Sequence, residues 1–207
     1  MDIILASKSP RRKELLEKIN LKFKIIESKY IEKKALISQD KYCIEMAHNK
    51  ALDVAKNYNN SLIIGADTIV SFKNKILGKP KNLKEAKKYL KLLSNNTHNV
   101  YTGVSLLIVS KNINLSFFEK TEVTFNNLNN KDIDYYIDSF KPMDKAGAYG
   151  IQDAGSIMIK KINGCFYNVV GFPLSKFYKL ASGNKIINNI IKLNIQNAWR
   201  NSRRIIF

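Results

Sequence analysis

The amino-acid sequence predicts an α/β fold in which helices flank a mixed β-sheet. Near the start of the chain, short apolar runs alternate with segments whose apolar residues recur at helical spacing. In the middle, the β-rich stretches Val100 to Val109 and Leu115 to Phe125 follow each other directly, which favours a mixed sheet over a purely parallel one. A chain of 207 residues, 45% of them hydrophobic, suits one large domain or two small lobes that share a core.

The first unit of the chain is a strand, a polar turn and a helix. Ile3 to Ala6 is a short apolar run, which is typical of a buried strand, and Ser7 to Arg12 forms the polar turn. Apolar residues at helical spacing come next. Ser9 can cap this helix, and Pro10 suits its first turn because a missing N–H costs nothing there.

The same alternation continues through the first half of the chain. Apolar runs predict strands, amphipathic spacing predicts helices, and a turn at Lys73-Asn74 predicts a hairpin. The predicted elements are a strand from Phe23 to Glu27, a helix that Ser38 caps and that runs to about Tyr58, a strand from Leu62, its hairpin partner Lys75 to Leu77, and a helix that Asn82 and Glu85 cap and that ends near Leu93.

Three further elements follow the long β-rich stretches. They are a helix from Lys131 to Phe140, a strand around Ile157 to Ile162 and a helix after Pro173. The last segment, Lys185 to Phe207, is rich in Asn and basic residues and allows either a terminal helix or a loosely held tail. We therefore expect a main domain over residues 1–183 and a basic, Asn-rich extension over residues 184–207.

The chain is strongly basic. Thirty-five Lys and Arg residues against 17 Asp and Glu residues give a net charge of +18, which attracts nucleic acid, nucleotides or an acidic membrane surface. Charge alone names no partner. The 25% of charged residues, together with the hydrophobic content, exclude a wholly disordered chain and a collagen-like repeat.

Cysteine and histidine are scarce. Cys43 and Cys165 are too few for a disulfide framework, and two His residues do not favour a zinc site. The N-terminal residues lack the charge pattern of a signal peptide, and no apolar run approaches the ~20 residues that span a bilayer. We therefore expect a cytoplasmic protein with reduced cysteines.

The turn from Ser7 to Arg12 is the first candidate binding site. A helix N-terminus presents N–H groups and a partial positive charge, so it binds phosphate readily. Arg11 and Arg12 add planar, multidentate donors. Because arginine in a first turn opposes the helix dipole, a bound anion accounts for the pair better than a solvated surface does.

Asp67 is the candidate catalytic residue. It follows the apolar run Leu62 to Ile64, and open α/β sheets carry reactive groups at the carboxyl ends of their strands. A carboxylate in that position can hold a divalent ion or take a proton from water. The alternative is a turn-forming Asp beside Gly65, and the residue taken alone favours that alternative.

The segment Asp144 to Gln152 is a second candidate for ligand contact. Its small residues allow a ligand to approach the backbone closely. The Gln152 amide offers a donor and an acceptor, which can pair with the imide edge of uracil or thymine. A connector with turn glycines explains the segment equally well. Lys50 and Lys79, taken alone, are typical solvated lysines of a lysine-rich chain.

Five segments together resemble the Maf family of nucleotide pyrophosphatases. They occur in the family's order and spacing, and they cover the chain from its start to about Leu180. The segments are Leu5 to Arg12, Gly65 to Thr68, Leu77 to Pro80, Asp144 to Gln152 and Asn168 to Leu174. The resemblance implies a two-lobed α/β fold with a central cleft, similar to that of inosine triphosphate pyrophosphatases.

The resemblance also implies a reaction, the hydrolysis of nucleoside triphosphates to the monophosphate and pyrophosphate. The Gly-Ala-Tyr-Gly-Ile-Gln form resembles the branch that acts on dTTP and UTP. By motif match, Asp67 is the proton acceptor that activates water, and Asp67 and Glu32 stand near a divalent cation, Mg²⁺ or Mn²⁺. The residues implied to line the triphosphate or to bear on substrate choice are Ser7, Arg11, Arg12, Lys50, Thr68, Lys79 and Gln152.

Two other functions stay open at this point. A non-enzymatic protein that binds nucleic acid or an anionic surface would explain the charge, although no basic stretch with interleaved aromatic residues forms a recognisable module. A house-cleaning pyrophosphatase that clears the purines ITP and XTP would share the fold class and the reaction. The resemblance favours a nucleoside triphosphate partner over nucleic acid or membrane, and it allows a homodimer.

Overall fold

Strands and helices alternate along the first part of the chain, and two long strands then follow each other. The computed structural model describes residues 1–32 and 37–203, with side chains described as far as residue 195. Residues 33–36, between the strand predicted to end at Glu27 and the helix predicted to begin at Ser38, lie outside the description. The described strands are β1 Ile3–Leu5, β2 Lys24–Ile25, β3 Leu62–Phe72, β4 Lys75–Leu77, β5 Thr97–Ile108, β6 Ile113–Phe125 and β7 Ile159–Asn163. The described helices are α1 Pro10–Lys18, α2 Gln39–Ala55, α3 Leu83–Leu93, α4 Asn130–Phe140, α5 Phe166–Val170, α6 Leu174–Gly183 and α7 Lys185–Arg203.

The sheet is mixed, as the sequence predicts. β1 pairs in parallel with β2 on one side and with β3 on the other. The order continues through β5, β6 and β7, all of them antiparallel, and β4 folds back on β3. Helices connect the parallel strands, because a parallel neighbour can be reached only by a crossover, whereas short turns suffice for β3–β4 and β5–β6.

Most predicted elements are present, with ends that differ by a few residues. The hairpin turn at Lys73-Asn74 is confirmed, and both residues have positive φ angles, 48° and 62°. The cap of α3 is confirmed as well, because Asn82 Oδ1 accepts a hydrogen bond from the backbone N–H of Glu85 at 2.9 Å. β2 is shorter than predicted, because only Lys24 and Ile25 pair with β1.

Two predicted helix caps are wrong in their chemistry. Ser9 and Ser38 stand at the N-cap positions of α1 and α2, but neither side chain makes a capping hydrogen bond. The backbone N–H of Ser9 instead donates to Ser7 Oγ at 3.3 Å, within the polar turn. Serine therefore marks where each helix begins, but it does not make the side-chain hydrogen bond that usually explains why serine is preferred at the N-cap.

Neighbouring side chains of the central strands pack against helices on opposite faces of the sheet. Ile4 of β1 and Ile63 of β3 contact Ala51 and Val54 of α2 on one face. Their chain neighbours on β1 and β3 point to the other face, where they meet residues of α1, α6 and α7. This two-residue alternation explains why these strands are apolar throughout, because both of their faces are buried.

Helix α2 lies very close to the sheet because glycines stand beneath it. A Cβ atom on Gly65 would collide with the carbonyl oxygen of Ala47, and one on Gly103 would collide with that of Cys43. The two glycines therefore let the backbone of α2 approach β3 and β5 directly. One turn after Ala47, the same helix brings Lys50 to Asp67.

Two apolar clusters lie at opposite ends of the long strands. The first gathers α1, α6 and α7 around residues such as Leu5 and Leu106. The second gathers α3 and α4 around residues such as Val100 and Phe125. Because β3, β5 and β6 contribute to both clusters, the fold is two-lobed with strands that run continuously from one lobe to the other.

The described part of the C-terminal segment is helical. Ile187, Ile190 and Ile191 of α7 are buried in the first cluster, so the first turns of α7 belong to the core. Of the two structures left open for this segment, the described residues form the helix, and residues 204–207 lie outside the description. The division of the chain after residue 183 stays a prediction. None of the described helices is both long and apolar enough to cross a membrane.

Candidate active site

A cleft of about 760 Å³ opens along the edge of β3 that pairs with the two short strands β1 and β4. β1 pairs with β3 as far as Ile64, and β4 pairs with it from Val70, while β5 occupies the opposite edge throughout. In the described sheet, residues 65–69 therefore have no strand partner on the cleft side. Side chains from both faces of β3 can reach the cleft at this point.

Asp67 lies in that gap. The expectation that it stands at the carboxyl end of its own strand is wrong, because β3 continues to Phe72. Asp67 lies instead just beyond the carboxyl end of β1, whose last residue, Leu5, pairs with Ile64. The cleft therefore lies at the carboxyl end of the neighbouring strand, where β1 has ended and β4 has not yet begun.

The predicted site residues come together in this cleft, although they derive from segments far apart in the sequence. They come from the loop after β1, the first turn of α1, the segment between β2 and α2, helix α2, strand β3, the segment after β4 and the loop before β7. The predicted residues that line the cleft are Ser7, Arg11, Arg12, Glu32, Lys50, Asp67, Thr68, Lys79 and Gln152.

Lys50 bridges the two predicted carboxylates. Its Nζ lies 2.6 Å from Glu32 Oε1 and 2.6 Å from Asp67 Oδ1. The side chain of Asp67 is only 8% exposed, and its Oδ2 is buried without a hydrogen-bond partner among the described residues. A buried carboxylate oxygen without a partner is costly. Oδ2 is therefore the atom of this cluster that is suited to meet a cation or a proton donor.

Arg12 is held rigidly against the wall of the cleft. Each of its three guanidinium nitrogens donates one hydrogen bond. Nε donates to Gly171 O at 3.0 Å, Nη1 to Ser7 Oγ at 3.0 Å and Nη2 to Thr68 Oγ1 at 3.1 Å. Burial lowers the pKa of Arg12, and the negative charge of Asp67 opposes this shift. Since guanidinium remains charged in proteins, a fixed positive charge stands next to the Asp67 segment.

Arg11 pairs with an acidic residue that the sequence analysis did not assign to the site. Arg11 Nη1 donates to Asp144 Oδ2 at 2.8 Å, and Lys145 Nζ lies 2.9 Å from Asp144 Oδ1. Burial raises the pKa of Asp144, but the hydrogen bonds from Arg11 and Lys145 outweigh it and lower this pKa to about 2. Asp144 is the first residue of the segment that was singled out for its small residues. The negative charge of Asp144 within that segment was the signal that could have identified it as a site residue.

Lys79 and Gln152 are exposed side chains at the border of the cleft. Lys79 makes no ion pair with a described acidic residue, unlike Lys50, so its charge is available to an anionic ligand. Cationic and acidic side chains both line the cleft, and the described acidic ones that meet a lysine or arginine there are Glu27, Glu32, Asp67 and Asp144. The cleft can therefore bind a polyphosphate through its unpaired cations while carboxylates remain for a metal ion or a proton.

A family profile and individual relatives both match this amino-acid sequence, and the two comparisons agree. The profile of the family described as "Maf-like protein" matches residues 2–183. Curated relatives named "dTTP/UTP pyrophosphatase" include one from Bacillus mycoides (strain KBAB4), which is 49% identical over 178 residues, 86% of this chain and 92% of the relative. Another, from Bacillus cereus (strain G9842), is 48% identical over the same shares. Among solved structures, the Staphylococcus aureus Ham1 protein covers 60% of this chain and 72% of its own, with a TM-score of 0.44 and 14% identity.

Proposed function

The chain belongs to the Maf family, and on this basis we propose that it hydrolyses nucleoside triphosphates, dTTP and UTP in particular, to the monophosphate and pyrophosphate. In this reaction a water oxygen bonds to the α-phosphorus, the bond from that phosphorus to the bridging oxygen breaks, and pyrophosphate leaves. The observation that carries the proposal is one cleft in which a cluster of two carboxylates lies beside fixed guanidinium groups.

Asp67 is the residue to which we assign water activation. Its Oδ1 is engaged by Lys50 at 2.6 Å, which restrains the carboxylate, while its Oδ2 has no partner among the described residues. Oδ2 accepts the proton that the attacking water releases. A positioned carboxylate that removes a proton usually raises a reaction rate ~10²–10⁴-fold, and we expect an effect of this size from Asp67.

A divalent cation, Mg²⁺ or Mn²⁺, fits the same cluster. Hard cations take oxygen ligands, and Asp67 and Glu32 supply carboxylate oxygens close enough to share the ammonium of Lys50. Among the described residues, no group of three or more His, Cys, Asp or Glu side chains is arranged to hold a metal ion by itself. Two carboxylates with substrate phosphate oxygens and water would be a usual Mg²⁺ shell. When bound, the cation would neutralise charge on the phosphate oxygens.

The remaining cleft residues position the substrate in this proposal. Arg12, Lys79 and the first turn of α1 meet the phosphate chain, because guanidinium, ammonium and backbone N–H groups are all suited to phosphate oxygens. The exposed amide of Gln152 reads the base through the imide edge of uracil or thymine. Catalysis of phosphoryl-type transfer depends mainly on such positioning and charge stabilisation.

Pyrophosphate release from a panel of dTTP, UTP, CTP, GTP, ITP and XTP, each with Mg²⁺ and with Mn²⁺, tests the function. We expect dTTP and UTP to exceed the purine triphosphates in kcat/KM by at least about tenfold, the value of one good hydrogen bond. A preference for ITP and XTP would favour a purine house-cleaning enzyme instead. No hydrolysis, together with steeply salt-dependent binding to DNA or RNA, would favour a nucleic-acid binder.

A cytoplasmic location and a homodimer complete the proposal. Cys43 and Cys165 are both unpaired, which fits a reducing compartment. The dimer is supported by the family resemblance alone. Light scattering from the purified chain across a range of concentrations measures its mass in solution, and a mass near 23.7 kDa at all concentrations would contradict the dimer.

A further inference from the structure

Two of the three groups that hold Arg12, Thr68 Oγ1 and Gly171 O, lie on elements that contact one buried threonine outside the predicted site. Thr102 lies on β5 directly opposite Thr68 of β3 in the strand register, and it is fully buried. Its Oγ1 is 3.0 Å from Thr68 Oγ1 and 3.0 Å from the backbone carbonyl oxygen of Asn168 in α5. Thr102 therefore connects the strand that carries Thr68 with helix α5, whose C-cap residue is Gly171.

The chemistry of these groups fixes the direction of each hydrogen bond. The Arg12 guanidinium can only donate, so Thr68 Oγ1 accepts from it. The Asn168 carbonyl can only accept, so Thr102 donates its single proton there. Thr102 must then accept from Thr68, whose other acceptor, Gly171 O, is farther away at 3.5 Å. The result is one directed chain from Arg12 through Thr68 and Thr102 to Asn168.

We propose that Thr102 is a positioning residue for Arg12. It accepts the proton of Thr68, which leaves the lone pairs of Thr68 directed at the guanidinium, and its own proton goes to helix α5, whose C-cap residue supplies the Gly171 carbonyl. Without the Thr102 hydroxyl, the acceptor left for the proton of Thr68 among the described residues is Gly171 O at 3.5 Å, so the Thr68 hydroxyl rotates toward Gly171 and its lone pairs turn away from Arg12 Nη2. The proposal rests on the proposed function only in that Arg12 binds phosphate.

If Thr102 served only to hold helix α5 in place, removal of its hydroxyl would detach that helix. The side chain of Asn168 is anchored independently, because its Nδ2 donates to Val100 O and to Thr121 Oγ1, both at 3.0 Å. Helix α5 thus keeps its attachment to β5 and β6 when the Thr102 hydroxyl is removed. We therefore expect the loss to appear at Arg12 rather than as detachment of the helix.

Thr102→Val removes the hydroxyl at nearly constant volume. We expect kcat/KM for UTP to fall about tenfold, mainly through KM. The lost hydrogen bond orients Thr68, and through Thr68 it orients the guanidinium of Arg12. Thr102→Ser should restore wild-type kinetics. The matched control is Ser105→Ala, which removes a fully buried hydroxyl from the same strand, bonded to Ser116 Oγ at 3.0 Å and outside the Arg12 chain. Wild-type kinetics in Thr102→Val would overturn the proposal.

A double-mutant cycle with Arg12→Ala separates positioning from general destabilisation. If Thr102 acts through Arg12, Thr102→Val costs no further activity in the Arg12→Ala background. Equal losses in the two backgrounds would contradict the proposal. Thr102→Ala replaces Thr102→Val in the cycle if the valine variant does not fold.

A second readout does not require activity. Labelling with phenylglyoxal, read at each arginine by mass spectrometry, reports how firmly a guanidinium is held. We expect Arg12 to be labelled several times faster in Thr102→Val than in wild type or in Ser105→Ala. An unchanged labelling rate would refute the inference about Thr102. An inactive wild-type enzyme would refute the proposed function alone, because the labelling comparison still decides the role of Thr102.

Discussion

Lys50 is the residue whose surroundings differ most from what its own sequence context predicts. Taken alone it is a solvated lysine of an amphipathic helix, and the family resemblance assigns it to the triphosphate. The structure surrounds its ammonium with the carboxylates of Glu32 and Asp67. Breaking a partly buried ion pair by removing one partner leaves an uncompensated charge, so these three residues act as a unit.

Asp67→Asn tests the assignment of the general base. We expect turnover of UTP to fall ~10²–10⁴-fold, because the amide cannot take a proton from water. The fold should survive, since Asn matches Asp in size and Lys50 keeps Glu32 as a partner. Steady-state rates and thermal unfolding measure the two effects. Asp134→Asn, which removes a surface carboxylate paired with Lys87, is the control and should retain full activity. A folded Asp67→Asn protein with normal turnover would exclude the assignment.

His98 gives the molecule a buried titratable group close to the cleft wall. Its Nε2 lies 2.7 Å from the hydroxyl of Tyr149, a cleft-lining residue, and its Nδ1 has no partner among the described residues. The ring of His98 packs edge-on against those of Phe125 and Tyr149. Burial lowers the pKa of His98 from 6.5 to about 4.

This lowered pKa predicts a loss of stability in mild acid. Above pH 6.5 both the folded and the unfolded chain carry neutral His98, but between pH 6.5 and about 4 only the unfolded chain binds the proton. The free energy of unfolding should therefore decrease as pH falls through this window, by on the order of 3 kcal/mol. Urea unfolding of wild type and His98→Gln measures the difference. The variant should lack this component, and an unchanged pH dependence in His98→Gln would contradict the role of His98.

At the scale of elements, the contact between α2 and the sheet decides the geometry of the site. Gly65 and Gly103 permit the helix backbone to lie on β3 and β5, and this contact sets Lys50 against Asp67. The helical periodicity of α2 could be recognised in the sequence, but its distance from the sheet could not. That distance depends on which residues of two other elements lie under it.

Gly103→Ala should disturb this contact. The added Cβ collides with the carbonyl oxygen of Cys43, which belongs to a backbone that cannot move aside cheaply. We expect a decrease of about 1–3 kcal/mol in the free energy of unfolding, as for other overpacked cores, and a parallel loss of activity as Lys50 shifts. Denaturant unfolding and UTP turnover measure both. Gly183→Ala is the control, because its Cβ would meet nothing within 4 Å. Unchanged stability in Gly103→Ala would mean that α2 adjusts freely.

At the scale of the whole molecule, two apolar clusters joined by continuous strands leave the cleft between them. Val70 and Val100 of one cluster and Ile151 and Val170 of the other all line the cleft. The long strands make the two lobes one cooperative structure, since a strand cannot be broken in the middle without losing its pairs on both sides. Helix α7 extends the first of these clusters.

Removal of residues 184–207 should therefore destabilise the whole chain. Ile187, Ile190 and Ile191 are buried in the first cluster, and full burial of one such side chain contributes about 1.5–3 kcal/mol. Thermal unfolding should show a clear decrease for a chain that ends at Gly183. A chain that ends at residue 195 keeps all three isoleucines and serves as the control. Equal melting temperatures for the two shortened chains would contradict the inclusion of α7 in the core.

The sequence by itself determined the features that depend on neighbouring residues. Apolar periodicity identified nearly all strands and helices, Asn82 marked the start of α3, and Lys73-Asn74 marked the hairpin. Motifs in the family's order also identified the residues that line the cleft. These signals are local, because a helix, a cap or a turn is stabilised by residues a few positions apart.

Only the tertiary structure decided which of those residues meet. Arg11 pairs with Asp144 across 133 positions, Lys50 with Asp67 across 17, and Asp67 lies within a long strand rather than at its end. Such pairs depend on how the elements pack, and packing depends on the shapes of several distant segments at once. A one-dimensional pattern of apolar and charged residues does not contain those distances, which is why the pairing of Asp144 with Arg11 and the contact of Thr102 with Thr68 became visible only in the folded chain.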